Sequence, residues 1–361
     1  MITINPKLPF LNCPHKQIAT EILNHARKVR VVVVGDIIMD KYTRGDARRL
    51  SPEAPVPVVE QSSVEWCLGG AANVAANLRA MGANVSIVGT VGRDEAGERA
   101  VWDLSKRGIH VAGVVACGDR HTTVKHRVLA GGKHVVRIDH ERREETYPML
   151  REKIIECVTN EFGLADGMII SDYRKGVVGD DVLLAVRNWN GGNKIVGLDT
   201  KGDRLLSMGS RQMKGFTFVK PNRSELLQAM KMQDEPAIPD RYGLFDKRLM
   251  EAIERWFEWT KAVPYLLVTI AQYGMVFTEN GDHHNHGYVP TLGSKVVEVS
   301  GAGDSVVAAF TLGLLHNLRQ KHDFCPAVIF AAQAAAVAVG RPGTFAVSRT
   351  DILEAIGRGA L

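Results

Sequence analysis

The chain has 361 residues, 45% of them hydrophobic, and a formal net charge of +5, enough apolar material for a sizeable core and a length that large α/β domains reach as one unit. Its basic residues are scattered, without a long Lys/Arg run or aromatic interleaving, so nucleic acid is not an expected partner, and no apolar run is long enough to span a bilayer. The five cysteines (13, 67, 117, 157 and 325) never form a C-x-x-C pair, which argues against a disulfide frame or zinc site and for reduced thiols in the cytoplasm.

In chain order, residues 1–13 read as loose and show no signal-peptide core. Residues 15–29 read as an amphipathic helix with Ile18, Ile22, Leu23 and Ala26 on one face. Arg30-Val-Val-Val-Val-Gly-Asp36 is a β-branched run of the kind buried on both faces in a parallel sheet. Asp36, at its carboxyl end, and Asp40 stand where open α/β sheets place ligand contacts. Both are candidate hydroxyl acceptors, and both also fit exposed loop acids. Residues 41–60 carry Pro52, Pro55 and Pro57, which suit an edge strand and exclude a central one. Residues 122–139 are strand-like around Gly131-Gly132, a hairpin signal. The two segments predict a small sheet outside the main one, a lid sub-domain built from 41–60 and 122–139. Between them, Leu68-Gly-Gly-Ala-Ala-Asn73 to Gly82 reads as a helix entered through Gly69 and Gly70 and capped at Gly82. The glycines allow close backbone approach to a ligand, and Asn73 offers donor and acceptor to a hydroxyl. The alanines also fit tight helix–sheet packing alone.

Val85–Gly89 reads as the next buried strand. Apolar strands then recur, each followed by polar or turn residues: Gly167–Ser171 before Asp172-Tyr-Arg-Lys175-Gly; Lys194–Leu198 before Asp199-Thr-Lys201; Phe216–Val219 before Lys220-Pro-Asn222-Arg-Ser-Glu225; and Tyr265–Thr269 before Gly274. Repeated polar strand ends predict one shared active edge in a doubly wound, mostly parallel sheet flanked by helices. Residues 231–262 read as an acidic, proline-rich loop followed by a peripheral helix, Arg248 to Trp259. His283-His284-Asn285-His286 fits an exposed turn better than a metal site.

The stretch around which the chain is organised is Glu298-Val-Ser-Gly-Ala-Gly-Asp304 and the apolar helix after it, with Val306, Phe310 and Leu314 at helical spacing. Gly301, Ala302 and Gly303 bring bare backbone N–H groups to a helix N-terminus, which favours an anion. Asp304 is the one ionisable group in the turn, placed to take a proton from an attacking hydroxyl during phosphoryl transfer. A merely capped helix would need the same residue types.

With these residues placed, the chain resembles the ribokinase-like (PfkB) family of carbohydrate kinases over nearly its whole length, through the glycine-led helix at 69–77 and the Gly-Ala-Gly-Asp at 301–304. Arg49-Leu-Ser-Pro-Glu-Ala-Pro-Val-Pro-Val58, Gly69–Ala76, Ser171-Asp-Tyr-Arg-Lys-Gly176 and Pro221-Asn-Arg-Ser-Glu225 look like the heptose-phosphate kinases of lipopolysaccharide core synthesis. The resemblance implies ATP and Mg²⁺ as cofactors and phosphorylation of the anomeric oxygen of D-glycero-β-D-manno-heptose 7-phosphate by a stand-alone kinase. Asp304 then matches the catalytic base and residues 301–303 the anion hole. Asp36, Asp40, Gly69, Gly70, Asn73, Asp172 and Lys175 match sugar-side positions, with Lys175 expected on the substrate phosphate. Lys201, Asn222, Arg223, Ser224, Glu225, Thr269 and Gly274 match the nucleotide side, Glu225 touching Mg²⁺ indirectly. Glu298 departs from an Asp linked to monovalent cations. Gln272-Tyr273 precedes Gly274 where charged or small residues are commoner, and Ala332-Gln333 replaces an Asn-Ala pair near the nucleotide. The resemblance also implies a homodimer paired through the lid strands. Another sugar or nucleoside substrate, or a non-catalytic sugar-phosphate binder on this fold, is the alternative reading.

Overall fold

The computed structural model describes residues 14–144, 146–189, 194–234, 247–280, 286–293, 296–320 and 324–358. The expectations for residues 1–13, for most of the acidic loop (235–246) and for His283–Asn285 lie outside the described residues.

Helix α1 (His15–Ala26) buries Ala19, Ile22, Leu23 and Ala26, close to the face its periodicity predicts. Strand β1 (Arg30–Gly35) follows, then two long strands, β2 (Ile37–Leu50) and β3 (Pro57–Gly70), and α2 (Ala71–Ala80). The chain continues through β4 (Asn84–Gly92), α3 (Glu95–Lys106), β5 (His110–Cys117), β6 (Thr123–Ala130) and β7 (Lys133–His140). Next come α4 (Pro148–Leu164), β8 (Gly167–Asp172), α5 (Asp180–Trp189), β9 (Ile195–Thr200), α6 (Gly202–Ser207), β10 (Phe218–Val219), α7 (Arg223–Ala229) and α8 (Lys247–Trp259). The last elements are β11 (Tyr265–Thr269), β12 (Met275–Glu279), β13 (His286–Val289), α9 (Ala302–Gln320), α10 (Cys325–Val339) and α11 (Arg349–Gly357).

Nine strands form one sheet in the order β13-β12-β11-β10-β9-β8-β1-β4-β5. It is parallel from β5 to β11 and antiparallel at β12 and β13. The run Val31–Val34 is fully buried, and its side chains alternate between two cores. Val31 and Val33 belong to the core built with α1, α2, α9 and α10; Val32 and Val34 belong to the one built with α4, α5 and α8. This period of two is what a strand covered by helices on both faces requires. At Gly197 in β9 a side chain would meet the Phe218 ring at 2.2 Å, so glycine there makes room for Phe218, which packs edge-on to Phe310 at 4.9 Å.

From β1 the chain winds one way to β4 and β5, then returns to the other side of β1 for β8, β9, β10 and β11. The switch lies between the carboxyl ends of β1 and β8, where open α/β sheets leave a crevice.

A second sheet, in the order β3-β2-β6-β7, stands over that edge. It extends further than its sequence signals suggested: β2 starts at Ile37, and β3 runs through Gly69 and Gly70, expected as the helix entry. Gly131 and Gly132, both at positive φ, turn the β6–β7 hairpin as predicted. Every residue of β7 is exposed. Among the described residues, no helix is long and apolar enough to cross a membrane, and Cys67, Cys117 and Cys157 are unbridged thiols.

Candidate active site

Asp304 sits in the first turn of α9 with only 2% of its surface exposed. The run Val296–Val299 that delivers the turn is a loop, tied down where Val297 and Glu298 donate to the Val339 carbonyl. Gly301 turns the chain at φ +79, where L side chains are strained, and a side chain there would also meet Asn73 Nδ2 at 2.8 Å. The Ala302 N–H closes on the Val299 carbonyl at 3.3 Å, and Ser305 N–H bonds Gly301. The anion-binding turn expected over 301–303 therefore rests on the Gly303 and Asp304 N–H groups, which have no intrahelical acceptor.

Both oxygens of Asp304 are engaged. Asn73 Nδ2 donates to Oδ2 at 2.8 Å, and the Tyr173 hydroxyl donates to Oδ1 at 2.6 Å. Asn73 is held in turn by Asn77, whose Oδ1 also accepts from Ser305 Oγ at 3.0 Å. Helices α2 and α9 are thus cross-linked around the carboxylate. Burial pushes the Asp304 carboxyl up to about 6, against the donors Tyr173 and Asn73. A carboxylate in that range is ionised at neutral pH yet retains proton affinity, as a general base requires.

The sugar-side residues gather around the switch point in unequal roles. Asp36 is buried, and its carboxylate accepts backbone N–H groups of Tyr173 (2.8 Å), Lys175 (3.0 Å) and Val177 (3.2 Å). Asp172 accepts from Thr200 Oγ1 and Arg174 N, both at 2.8 Å. Burial pushes both carboxyls up, and repulsion from Asp172 adds to the rise at Asp36. Both acids shape the 173–177 loop, so their hydrogen-bonding capacity is spent on backbone more than the sequence reading expected. Gly69 and Gly70 are also structural: side chains there would meet Asp40 Oδ2 and the Asp36 carbonyl, each at 2.6 Å. Asp40 lies inside β2, ion-paired with Arg127 of β6 and accepting from Thr344 Oγ1 at 2.8 Å. Lys175, expected on a substrate phosphate, is taken by Glu141 at 2.6 Å with 10% of its side chain exposed. Arg174 turns the other way, toward Asp203 at 3.3 Å.

On the nucleotide side, Asn222 and Glu225 close a capping box on α7: Glu225 N–H donates to Asn222 Oδ1 at 2.8 Å, and Asn222 N–H to Glu225 Oε2 at 2.9 Å. The other Glu225 oxygen pairs with Lys201 at 2.9 Å. Burial by itself would lower Lys201, but Glu225 and Asp199 hold it above the ordinary lysine value. Arg223 points away to Asp234, and Ser224 is exposed. Thr269 ends β11 beside Asn222. Gly274 turns at φ +105 against the Val289 carbonyl. Glu298 accepts from the Tyr42 hydroxyl at 3.3 Å and Gly343 N–H at 2.8 Å, tying the lid to the loop after α10. Gln333 is fully buried, with neither amide atom bonded among the described residues.

Sequence reasoning left four participants unassigned. Lys220 is buried, pairs with Asp199 at 3.1 Å, and lies 3.5 Å from where a Gly303 side chain would stand. Tyr173 contacts the carboxylate, and Lys125 and Arg127 line the lid. Lys220 and Tyr173 stood in motifs already singled out, at carboxyl ends of strands; nothing local told which side chain faced the cleft.

A family model described as pfkB family carbohydrate kinase matches residues 28–351. The chain is 36% identical to a protein named Bifunctional protein HldE from Helicobacter pylori over 90% of its own length and 66% of that relative. It is 36% identical to one of the same name from Geobacter sulfurreducens over 92% and 64%; the chain thus spans just under two thirds of these relatives. The fold is similar to phosphofructokinase-2 from Escherichia coli in complex with potassium (TM-score 0.71, 19% identity, 91% and 99% covered). It is also similar to Arabidopsis thaliana ribokinase complexed with ribose and ATP (TM-score 0.67, 18% identity, 90% and 98% covered). A family match over almost the whole described chain, joined to relatives above one-third identity, makes this protein a member of the PfkB family of carbohydrate kinases.

Proposed function

We propose that the chain transfers the terminal phosphoryl group of ATP to the anomeric hydroxyl of D-glycero-β-D-manno-heptose 7-phosphate, giving the 1,7-bisphosphate for ADP-heptose and lipopolysaccharide core synthesis in the cytoplasm. The observation that carries the reading is Asp304: buried at a helix start, raised to about 6, and ion-paired with no cation among the described residues. In this reading the substrate hydroxyl gives its proton to Asp304 as it attacks. The Gly303 and Asp304 N–H groups and the Lys220 ammonium face the charge on the transferred group. Asn73 and Tyr173 hold the carboxylate in place. The narrower resemblance to heptose-phosphate kinases and the identity with the HldE relatives support the choice of sugar.

ATP would bring Mg²⁺, which keeps several waters and takes one or two carboxylates besides phosphate oxygens. Glu225 and Asp199 suit that sparse demand, and no cluster of three or more ligating side chains exists among the described residues. Bound there, the ion would neutralise phosphate charge. The exposed β7, with Val135, Val136 and Ile138 each at least 40% exposed, supports a homodimer paired through lid strands.

The test is ADP release with Mg-ATP and heptose 7-phosphate, fructose 6-phosphate or ribose. Heptose 7-phosphate is expected to give the highest kcat/KM. Preference for another sugar would reassign the substrate, and no release with any would remove the kinase reading in favour of a sugar-phosphate binder.

A further inference from the structure

The ionisable groups around the cleft pair off almost completely. Lys220 has Asp199 at 3.1 Å, Lys201 has Glu225 at 2.9 Å, Lys175 has Glu141 at 2.6 Å, and Arg127 has Asp40. Behind them Arg204 has Asp180 at 2.9 Å. Asp36 has no cation but spends its carboxylate on three backbone N–H groups, and Arg120 donates to the Glu144 and Lys175 carbonyls. The Asp304 carboxylate meets only the neutral donors Asn73 and Tyr173. The Lys125 ammonium makes no hydrogen bond or ion pair among the described residues.

Lys125 belongs to β6 of the lid, opposite Asp40 in β2. Side chains alternate along a strand, so Lys125 and Arg127 share one face of the lid. Arg127 reaches Asp40 on that face, while His126, on the other, bonds Thr43 at 2.8 Å. The Lys125 ammonium lies 5.3 Å from the centre of the Tyr173 ring, and Lys201 lies 4.8 Å from it. The hydroxyl of the same ring donates to Asp304. Lys125 therefore lies over the ring whose hydroxyl meets the Asp304 carboxylate.

We propose that Lys125 is the seat for the phosphate that the sugar already carries, with Asp304 receiving the hydroxyl at the sugar's other end. This rests on the sugar-phosphate kinase reading and moves the phosphate contact from Lys175, whose charge Glu141 already neutralises, to the lid. Three further cations crowd Lys125: burial first, and then Lys175, Lys201 and Arg127, push its pKa down against Asp40. A phosphate dianion relieves that crowding and a neutral hydroxyl does not, so the site selects phosphorylated over plain sugars. An ammonium on a flexible stem suits a monoester.

The experiment is calorimetric titration of the whole chain with heptose 7-phosphate and fructose 6-phosphate, and with heptose and fructose, for wild type, Lys125→Met, Lys125→Arg and Lys175→Ala. Wild type is expected to favour each phosphorylated sugar over its plain counterpart. Lys125→Met is expected to weaken only the phosphorylated sugars, by at least about tenfold. Lys125→Arg should recover part of the loss, and Lys175→Ala, which removes a crowding charge already paired with Glu141, should cost less selectivity than Lys125→Met. Equal loss for phosphorylated and plain sugars, no loss for either, or a wild type without preference would overturn the assignment; the last needs no variant to fold. ADP release by wild type tests the kinase reading separately. Selective loss in Lys125→Met without ADP release from wild type would sink that reading and keep Lys125 as the phosphate seat.

Discussion

Strands β1 and β7 show two ways of holding a strand in place. In β1, Val31–Val34 are fully buried, and helices cover both faces. In β7 every residue is exposed, and the strand is held by its ladder to β6. Burial of apolar area fixes the body. At its root the lid joins the body's core through buried Ile37, Met39, Leu68 and Val124, and it is tied by Thr344 to Asp40 at 2.8 Å, Tyr42 to Glu298 at 3.3 Å, and Arg99 over Trp66 at 5.4 Å. The contrast assigns stability to the body; in the proposed reading, selectivity and assembly belong to the lid and chemistry to the seam between them.

The seam should show the largest effect. Asp304→Asn is expected to lower kcat by about 10²–10⁴-fold with nucleotide affinity kept, measured by steady-state kinetics and nucleotide titration; near-normal turnover would remove Asp304 as the base. In the body, Phe218→Ala should cost about 3–5 kcal/mol in denaturant unfolding, the cost of a buried aromatic cavity, and a loss under 1 kcal/mol would break the contrast. Back at the seam, wild-type kcat/KM should fall as pH drops through about 6, where Asp304 takes up its proton. Tyr173→Phe removes a donor that favours the ionised carboxylate, so that limb should move to higher pH, by about one unit for a hydrogen bond of this strength. A shift to lower pH, or none, would show that Tyr173 does not hold the base. The smallest effect on folding belongs to the lid. Ile138→Ser should change stability by no more than about 0.5 kcal/mol, as a surface substitution does, while weakening self-association in sedimentation. Unfolding of the lid by Ile138→Ser would equate the two sheets.

Much of the body is legible in the sequence because the signals are local. The β-branched run at 31–34 reads as a doubly covered strand, Gly131-Gly132 reads as a hairpin, and Gly-Ala-Gly-Asp reads as the start of an apolar helix. Each depends on residues a few positions apart, through the periodicity of burial and the backbone freedom of glycine. The lid was legible as two segments but not in extent, because β3 continues through polar, exposed residues that alternate with no core.

What the sequence by itself determined is therefore the place in the chain of six strands of the parallel run, the turn that carries Asp304 and the edge on which the polar strand ends meet. Only the tertiary structure decided which charges cancel. Lys175 follows β8 and Lys125 lies inside β6, yet nothing local shows that Glu141 pairs with the first while the second has no ion pair among the described residues. Asp36 and Asp304 both follow apolar runs, yet the first is spent on three backbone N–H groups and the second meets Tyr173, 131 positions away. Burial follows a local repeat along the chain. Charge pairing is a contact of a few ångströms between side chains from distant strands, and no local repeat encodes which of them meet.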